Sequence, residues 1–474
     1  MQGKLFDLPK RHKGEKAMTV MLRKTESLCP VCMKRIEAFV TIENNNVYMN
    51  KKCQEHGSWK VLLWRDAELY QKWGEACVHA DPVENTMKEK EHGCPFDCGL
   101  CPDHEGGTCT AVMEITNSCN MACPICFAQA GQIEPFNPGM EEIRAMYQTI
   151  LDSGGICSVQ LSGGEPTVRD DLPEIIRMGK SMGFKHIQVN TNGIRISEDY
   201  EYLKALKDAG ADLVYLQFDG TREDIHLFTR GREMLSVKES AIENCRQAGM
   251  GVLLVPVIVR GLNDDNIGDI LRYAKSKMPV VKGIHFQPAS WFGRFPYEQP
   301  SDDKRMTLQD VLKSLIEQTD DGFEMDHFIP RKRFDSHCAF SSLFLLDYEN
   351  RLHAATKIGE ESKQLIRERM EAYKSAKTEK DNSDYFTNGA NTFTDKHWRM
   401  GEKGKSGDWE AIERIRDYRL SISGMPFQDV WNIDIDRLKG CCVHVVGTEN
   451  RLIPLCAYHL TAADGSRIYG TKGE

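Results

Sequence analysis

Between residues 110 and 291 short apolar runs alternate with amphipathic stretches. The runs TAVMEITN (110–117), SVQLS (158–162), HIQVNT (186–191), LVYLQFD (213–219), VLLVPVIV (252–259) and GIHFQP (283–288) have the length and β-branched content of buried strands. Between them lie EEIRAMYQTILDSG, LPEIIRMGKSMG, EDYEYLKALKDAG, VKESAIENCRQAG and NIGDILRYAKSKM, which repeat apolar positions at helical spacing. All but the last close on Gly, the residue a helix end prefers. Six strand-helix repeats predict an α/β fold with a parallel sheet and right-handed crossovers, either an open doubly wound sheet or an incomplete (β/α)6 barrel. In both, ligands gather at the C-terminal ends of the strands.

Outside this stretch the pattern changes. Residues 1–80 have little helix signal and read as a small metal-held module. Residues 81–109 are a cysteine-rich segment, 110–300 the barrel, and 301–474 a C-terminal extension. Within the extension, residues 360–405 are charged and poor in large apolar groups, as in a solvated helix and loop. The 61 basic and 70 acidic side chains leave a formal charge of -9, so no broad basic field offers itself to nucleic acid. Neither a signal-peptide core nor a run of membrane-spanning length is visible. A cytoplasmic protein is expected, with room for peripheral contact at the inner face of the membrane.

Seventeen cysteines are a heavy load for a compartment that keeps thiols reduced, and they cluster at short spacings. Clustering of that kind predicts metal. Cys119, Cys123 and Cys126 follow the first strand directly, where a barrel places its active site. Three thiolates can hold three irons of a [4Fe-4S] cube and leave the fourth open to a small molecule, whereas a structural zinc site wants four ligands.

With these three cysteines the chain resembles the radical S-adenosylmethionine (SAM) superfamily, whose signature C-x3-C-x2-C sits on the loop after the first barrel strand. The resemblance implies a SAM-binding [4Fe-4S] cluster, a reductant such as ferredoxin or flavodoxin, and a 5'-deoxyadenosyl radical that removes hydrogen from unactivated carbon. It further implies that Gly163, Gly164, Glu165 and Pro166, after the second strand, let backbone approach SAM and receive its amino group. Asn190, Thr191 and Asn192, with Gln217 and Asp219, would bind its ribose and carboxylate. Arg260 and Asn263 fall near the family's adenine contact. The position before the third cysteine, usually aromatic in that family, is Ile125, with Phe127 just after it.

The remaining cysteines predict further metal. Cys94, Cys98, Cys101 and Cys109 make a four-thiol run suited to an auxiliary [4Fe-4S] cluster, with zinc as the alternative. Cys338, Cys441, Cys442 and Cys456 suggest a second; one of the adjacent pair can be idle, with His444 or His459 in its place. Cys29, Cys32 and Cys53 read as a rubredoxin-like or zinc-ribbon site for one iron or zinc, completed by His56 or by Cys77. Cys157 and Cys245 read as buried packing. Together the CPVC leader, the GCPFDCGLCPDHEGGTC run and the CCVHVVGTENRLIPLCAYH tail resemble the branch that holds the archaeal tetraether lipid synthase and relatives linked to pterin methylation. That implies carbon-carbon bond formation between lipid alkyl chains, with FQPASWFGRFPY (286–297) and SSLFLLDY (341–348) as stretches able to line a lipid tunnel. The alternative is radical C-methylation of a small heterocycle such as a pterin, which needs a compact polar pocket. An electron carrier without catalysis fits the intact GGE motif poorly.

Overall fold

The computed structural model describes residues 19–75, 86–130, 136–295, 300–331, 335–347, 349–358, 417–447 and 450–469. The charged stretch 360–405 and Cys77 lie outside the described residues.

Four antiparallel strands, β1 (Val20–Leu28), β2 (Arg35–Glu43), β3 (Asn46–Cys53) and β4 (Gly57–Trp64), form a separate N-terminal sheet in that order. Cys29, Cys32 and His56 lie in the turns after β1 and β3, and Cys53 ends β3. A buried lysine ties this sheet to the C-terminal segment: Lys51 Nζ donates to Leu28 O and to Val430 O, both at 2.8 Å. Burial pushes that amine down to about 7.

The predicted parallel strands form as β5 (Thr110–Glu114), β6 (Ser158–Ser162), β7 (Ile187–Thr191), β8 (Leu213–Gln217), β9 (Gly251–Val255) and, after the two-residue β10 (Val257–Ile258), β11 (Val281–Pro288). They lie in the order β11-β9-β8-β7-β6-β5, every neighbouring pair parallel. Pro256 splits the predicted fifth strand, since it has no N–H for the ladder. The helices between the strands pack Ile143, Ile150, Ile175, Leu203, Ile242 and Ile270 onto one face of the sheet; all are buried.

The extension adds strands to this same sheet. β12 (Ile329–Pro330), β13 (Phe340–Leu346) and β14 (Leu352–Ala354) precede β15 (Arg419–Gly424), and β15 lies parallel against β11. β16 (Val443–Val446) and β17 (Leu452–Pro454) follow, and β16 lies parallel against β5. Both edges of the six-strand arc are therefore covered by the extension, and the arc does not close into a barrel among the described residues. Residues 341–346 of SSLFLLDY fall in β13, with Phe344 packed against Phe323 and Phe328 in the core. That places this stretch in structural packing, not in a tunnel wall.

Candidate active site

Ser118 to Phe127 loop over the C-terminal end of β5, and other elements hold the loop on two sides. Cys126 exchanges both backbone hydrogen bonds with Arg294, each 2.9 Å, and Arg294 Nε donates to Cys123 O at 2.6 Å. On the other side Gly164 N donates to Thr116 O and Glu165 N to Ser118 O, both at 2.8 Å. This contact explains the two glycines. A Cβ on Gly163, whose φ is +129°, would stand 2.0 Å from Thr116 O, and one on Gly164 would stand 2.2 Å from Ser118 O. Their smallness thus brings the motif against the cysteine loop itself.

Glu165 is buried. Its Oε1 accepts from Thr167 Oγ1 at 2.6 Å and Thr191 Oγ1 at 2.7 Å, and its Oε2 accepts from Asn192 N at 2.7 Å. Burial raises its pKa against these donors. The carboxylate thereby fixes the turn after β7, with Oε2 accepting a single hydrogen bond. Pro166 starts the short 3-10 turn that follows. Asn192 reaches back to the cysteine loop, its Nδ2 donating to Asn120 Oδ1 at 2.7 Å.

Asn190 and Gln217 sit at the ends of adjacent strands, and each keeps one buried polar atom, Oδ1 and Nε2, without a protein partner. Orphaned polar atoms are rare unless a ligand or water meets them. A cradle offering one acceptor and one donor fits the polar groups of SAM. Asp219 differs from expectation: its carboxylate accepts from Arg230 Nε at 2.6 Å, Thr229 Oγ1 at 2.7 Å and Val257 N at 3.1 Å, and it has no exposed surface. Burial alone would raise that carboxyl; the Arg230 guanidinium outweighs it and holds it below the usual carboxylate range. Asp219 thus anchors Arg230, which in turn donates to Ile125 O at 3.3 Å and lies near the Cys123 thiol. Asn263 is likewise spent on backbone, bridging Val259 N, Val257 O and Asp219 O, and Arg260 pairs with Asp310 at 3.1 Å. Ile125 packs with Val259 and Ala289, while the exposed Phe127 meets His459 edge to face at 4.7 Å.

Burial lifts the Cys119 thiol to about 12 and raises that of Cys123. Without a cation these groups stay protonated, so the loop needs positive charge from metal to become a thiolate set. Two residues near the site carry no sequence signal of their role. Arg230 ends a helix (Glu223–Arg230) like many other basic residues. Lys238 sits at an ordinary helix position, yet it is buried and donates to Gln217 Oε1 at 2.9 Å and to Asn192 O; burial lowers its pKa to about 7.

The other cysteines fall into three places. Cys29, Cys32, Cys53 and His56 bring their ligand atoms within 4.8 Å of one another, a Cys3His set of zinc-ribbon type. His56→Ala should cost about one equivalent of bound metal, read by elemental analysis, and should lower the melting temperature. Cys94, Cys98 and Cys101 line a cavity of about 250 Å³ with His104 and Lys439. Cys109, which the spacing groups with them, instead has its sulfur 2.8 Å from that of Cys442. His444 bonds Thr108 at 3.0 Å through Nδ1 and His104 at 3.2 Å through Nε2, which occupies both of its nitrogens, whereas His459 accepts from Arg467 at 3.0 Å on Nδ1 and keeps a buried Nε2 without a hydrogen-bond partner. Cys157 and Cys245 are buried in the core.

A cleft opens between the N-terminal sheet and the end of β11. Trp64, Tyr70, Arg23, Arg305, Gln428 and Asp434 are among its lining residues, and Ala289 belongs both to its wall and to the cluster around Ile125.

A motif loop of three thiols, held by a Gly-Gly-Glu turn at the mouth of a parallel arc, is matched by the comparisons. Residues 113–274 match the model of the radical SAM superfamily, and residues 21–65 match an HMPTM N-terminal zinc ribbon domain. The 7,8-dihydro-6-hydroxymethylpterin dimethyltransferase of Methanocaldococcus jannaschii is 36% identical over 480 residues, spanning 93% of this chain and 94% of the relative. The chain belongs to the radical SAM superfamily. Like its other members, this radical SAM enzyme depends on iron-sulfur and on SAM. A GTP 3',8-cyclase of Listeria monocytogenes is 30% identical over 189 residues, 38% of this chain and 55% of the relative. Among solved structures, Streptococcus suis SuiB bound to precursor peptide SuiA is 16% identical, with a TM-score of 0.38 over 45% of this chain and 46% of that one. No helix among the described residues is long and apolar enough to cross a membrane.

Proposed function

We propose that this enzyme forms carbon-carbon bonds at a carbon activated by hydrogen removal, and that its substrate is a small reduced heterocycle of the pterin class, which it C-methylates from a separate one-carbon donor, because the SAM that is cleaved keeps its methyl on methionine. The observation that carries the reading is the end-to-end similarity to the Methanocaldococcus jannaschii pterin dimethyltransferase, zinc ribbon included. The cleft supports it. Its lining mixes aromatic with uncharged polar side chains, Trp64 and Tyr70 with Gln428 and Asn432, the composition that suits a small polar heterocycle. Alkyl-chain coupling has less support, since Phe286, Trp291, Phe292 and Phe344, in the stretches suited to a tunnel, are buried in core packing.

When bound at Cys119, Cys123 and Cys126, a [4Fe-4S] cluster with SAM supplies reductive sulfonium cleavage and the hydrogen-abstracting carbon radical. Asn190 and Gln217 would meet the polar end of SAM. Gly163 and Gly164 keep the loop pressed to the arc, and Arg230 places positive charge beside Cys123. The cleft residues would hold the substrate ring against the Ala289 wall and limit water.

The test is anaerobic incubation with SAM, reductant, a one-carbon donor and either 7,8-dihydro-6-hydroxymethylpterin or a total lipid extract, followed by mass spectrometry. The pterin should gain one methylene unit per methylation. Lipid species that lose hydrogen while doubling in chain length, with the pterin unchanged, would replace this reading. We further expect Cys98→Ala to keep 5'-deoxyadenosine production while losing the methylated product, because the Cys94 cavity stands apart from the SAM loop. Equal loss of both would contradict a separate role.

A further inference from the structure

β5 and β16 run parallel with Val443 opposite Thr110 and Val446 opposite Met113. One residue earlier, this register sets Cys109 beside Cys442. Cys109 N donates to Cys442 O at 2.8 Å, and the two sulfurs are 2.8 Å apart. Thiolates on different irons of one cube stand much farther apart, so only one of this pair can serve as a corner ligand. Adjacent residues at the start of a strand point to opposite faces, which separates Cys441 from Cys442. Cys441 lies near Cys456, Cys338 and Cys109, and its Sγ donates to Val443 O at 3.2 Å.

Two arginines close the nest. Arg331 Nη2 donates to Cys109 Sγ at 2.7 Å, and its backbone N–H donates to Ala339 O at 2.8 Å, beside Cys338. Cys442 and Cys338 also lie near Arg331. Arg437 lies near Cys338, Cys456 and Asp335, its Nη2 donates to Pro426 O at 3.0 Å, and its Nε is buried without a hydrogen-bond partner. Gln428 N donates to Cys456 Sγ at 3.3 Å. Asp335 brings one negative charge to Arg437, and the half-buried Arg331 faces thiols, which supply negative charge only as thiolates.

We infer that Cys109, Cys338, Cys441 and Cys456 form one four-thiolate [4Fe-4S] site, with Cys442 as a non-ligating neighbour and Arg331 and Arg437 as its counter-ions. An oxidised cube with four thiolates carries two negative charges, which the two arginines match. A single zinc fits poorly: apart from the zinc-ribbon set and an exposed Glu324, Asp326 and His327 group, no three such ligands among the described residues lie within 4.8 Å of one another. Cys94, Cys98 and Cys101 then serve a different site without Cys109. The inference rests on the reading that this chain carries auxiliary clusters.

The experiment is iron analysis with Mössbauer spectroscopy on the anaerobically reconstituted full chain. The parent should hold about thirteen irons, or about twelve with one zinc; a parent count near five or below removes the auxiliary-cluster reading itself. Given the full count, Cys109→Ser should lose about four irons and Cys442→Ser none. The pairings decide the partition. Cys109→Ser with Cys338→Ser should lose the same four irons once, whereas Cys109→Ser with Cys98→Ser should lose about eight. The reverse pattern, or a Cys109–Cys442 disulfide in protein with a full iron count, overturns the assignment. Metal in the zinc ribbon and SAM cleavage at the Cys119 loop report that each variant is folded. In potentiometric EPR, Arg331→Met should make one cluster harder to reduce and Arg331→Lys should restore most of the shift. No shift in either overturns the counter-ion role.

Discussion

Replacing any one of Cys119, Cys123 and Cys126 by Ala should abolish 5'-deoxyadenosine formation. Each thiol comes from the same ten-residue loop, and Arg294 and the Gly164 backbone hold that loop in one shape, so a missing ligand has no nearby replacement. Burial already keeps the Cys119 and Cys123 thiols protonated in the absence of metal. Two thiols would then face a cube that needs three. Loss of at least three orders of magnitude in rate, about 4 kcal/mol of barrier, is the expected scale. Chromatography of the reaction mixture reads it directly, and a variant that keeps the parent rate would remove the loop from the chemistry.

The second large effect is at Gly163. Its Ala variant must place a Cβ 2.0 Å from Thr116 O at a φ of +129°, and the oxygen belongs to backbone that cannot swing away. Gly154 is the control, with a φ of +136° and nothing within 4 Å of an added Cβ. Strain without collision should cost Gly154→Ala about 1–2 kcal/mol, and strain with collision should cost Gly163→Ala about 3–5 kcal/mol. Thermal melting compares the two. Gly163→Ala should also bind less iron at the SAM loop, because relief of the clash requires Thr116 to Ser118 to move.

Much of the arc was legible because a parallel strand buried on both faces is a short apolar run, and each helix between strands repeats every three to four residues. All six predicted strands form within a few residues of their expected ends. The extension was harder to read. β15 and β16 are short, and their partners β11 and β5 lie more than 100 residues away, so no local period reveals that they join the same sheet. Cysteine spacing has the same limit. It locates the zinc-ribbon set, whose members lie in or next to two turns, but it groups Cys109 with its sequence neighbours when its strand register sets it beside Cys442. The family motifs correctly marked the mouth of the arc. Individual roles there depend on hydrogen bonds that no motif states: Glu165 and Asp219 hold backbone and Arg230 with their carboxylates, while Asn190 and Gln217 keep open atoms.

The central claim is that the SAM loop acts on a small reduced heterocycle beside it, and label transfer tests this most directly. The dihydropterin, deuterated at the carbons to be methylated, would be incubated anaerobically with the enzyme, SAM, a one-carbon donor and reductant, and 5'-deoxyadenosine would be examined by mass spectrometry. The account predicts deuterium in 5'-deoxyadenosine in step with pterin methylation. Unlabelled 5'-deoxyadenosine with an untouched pterin, while chain-end deuterated lipid delivers its label, would contradict it.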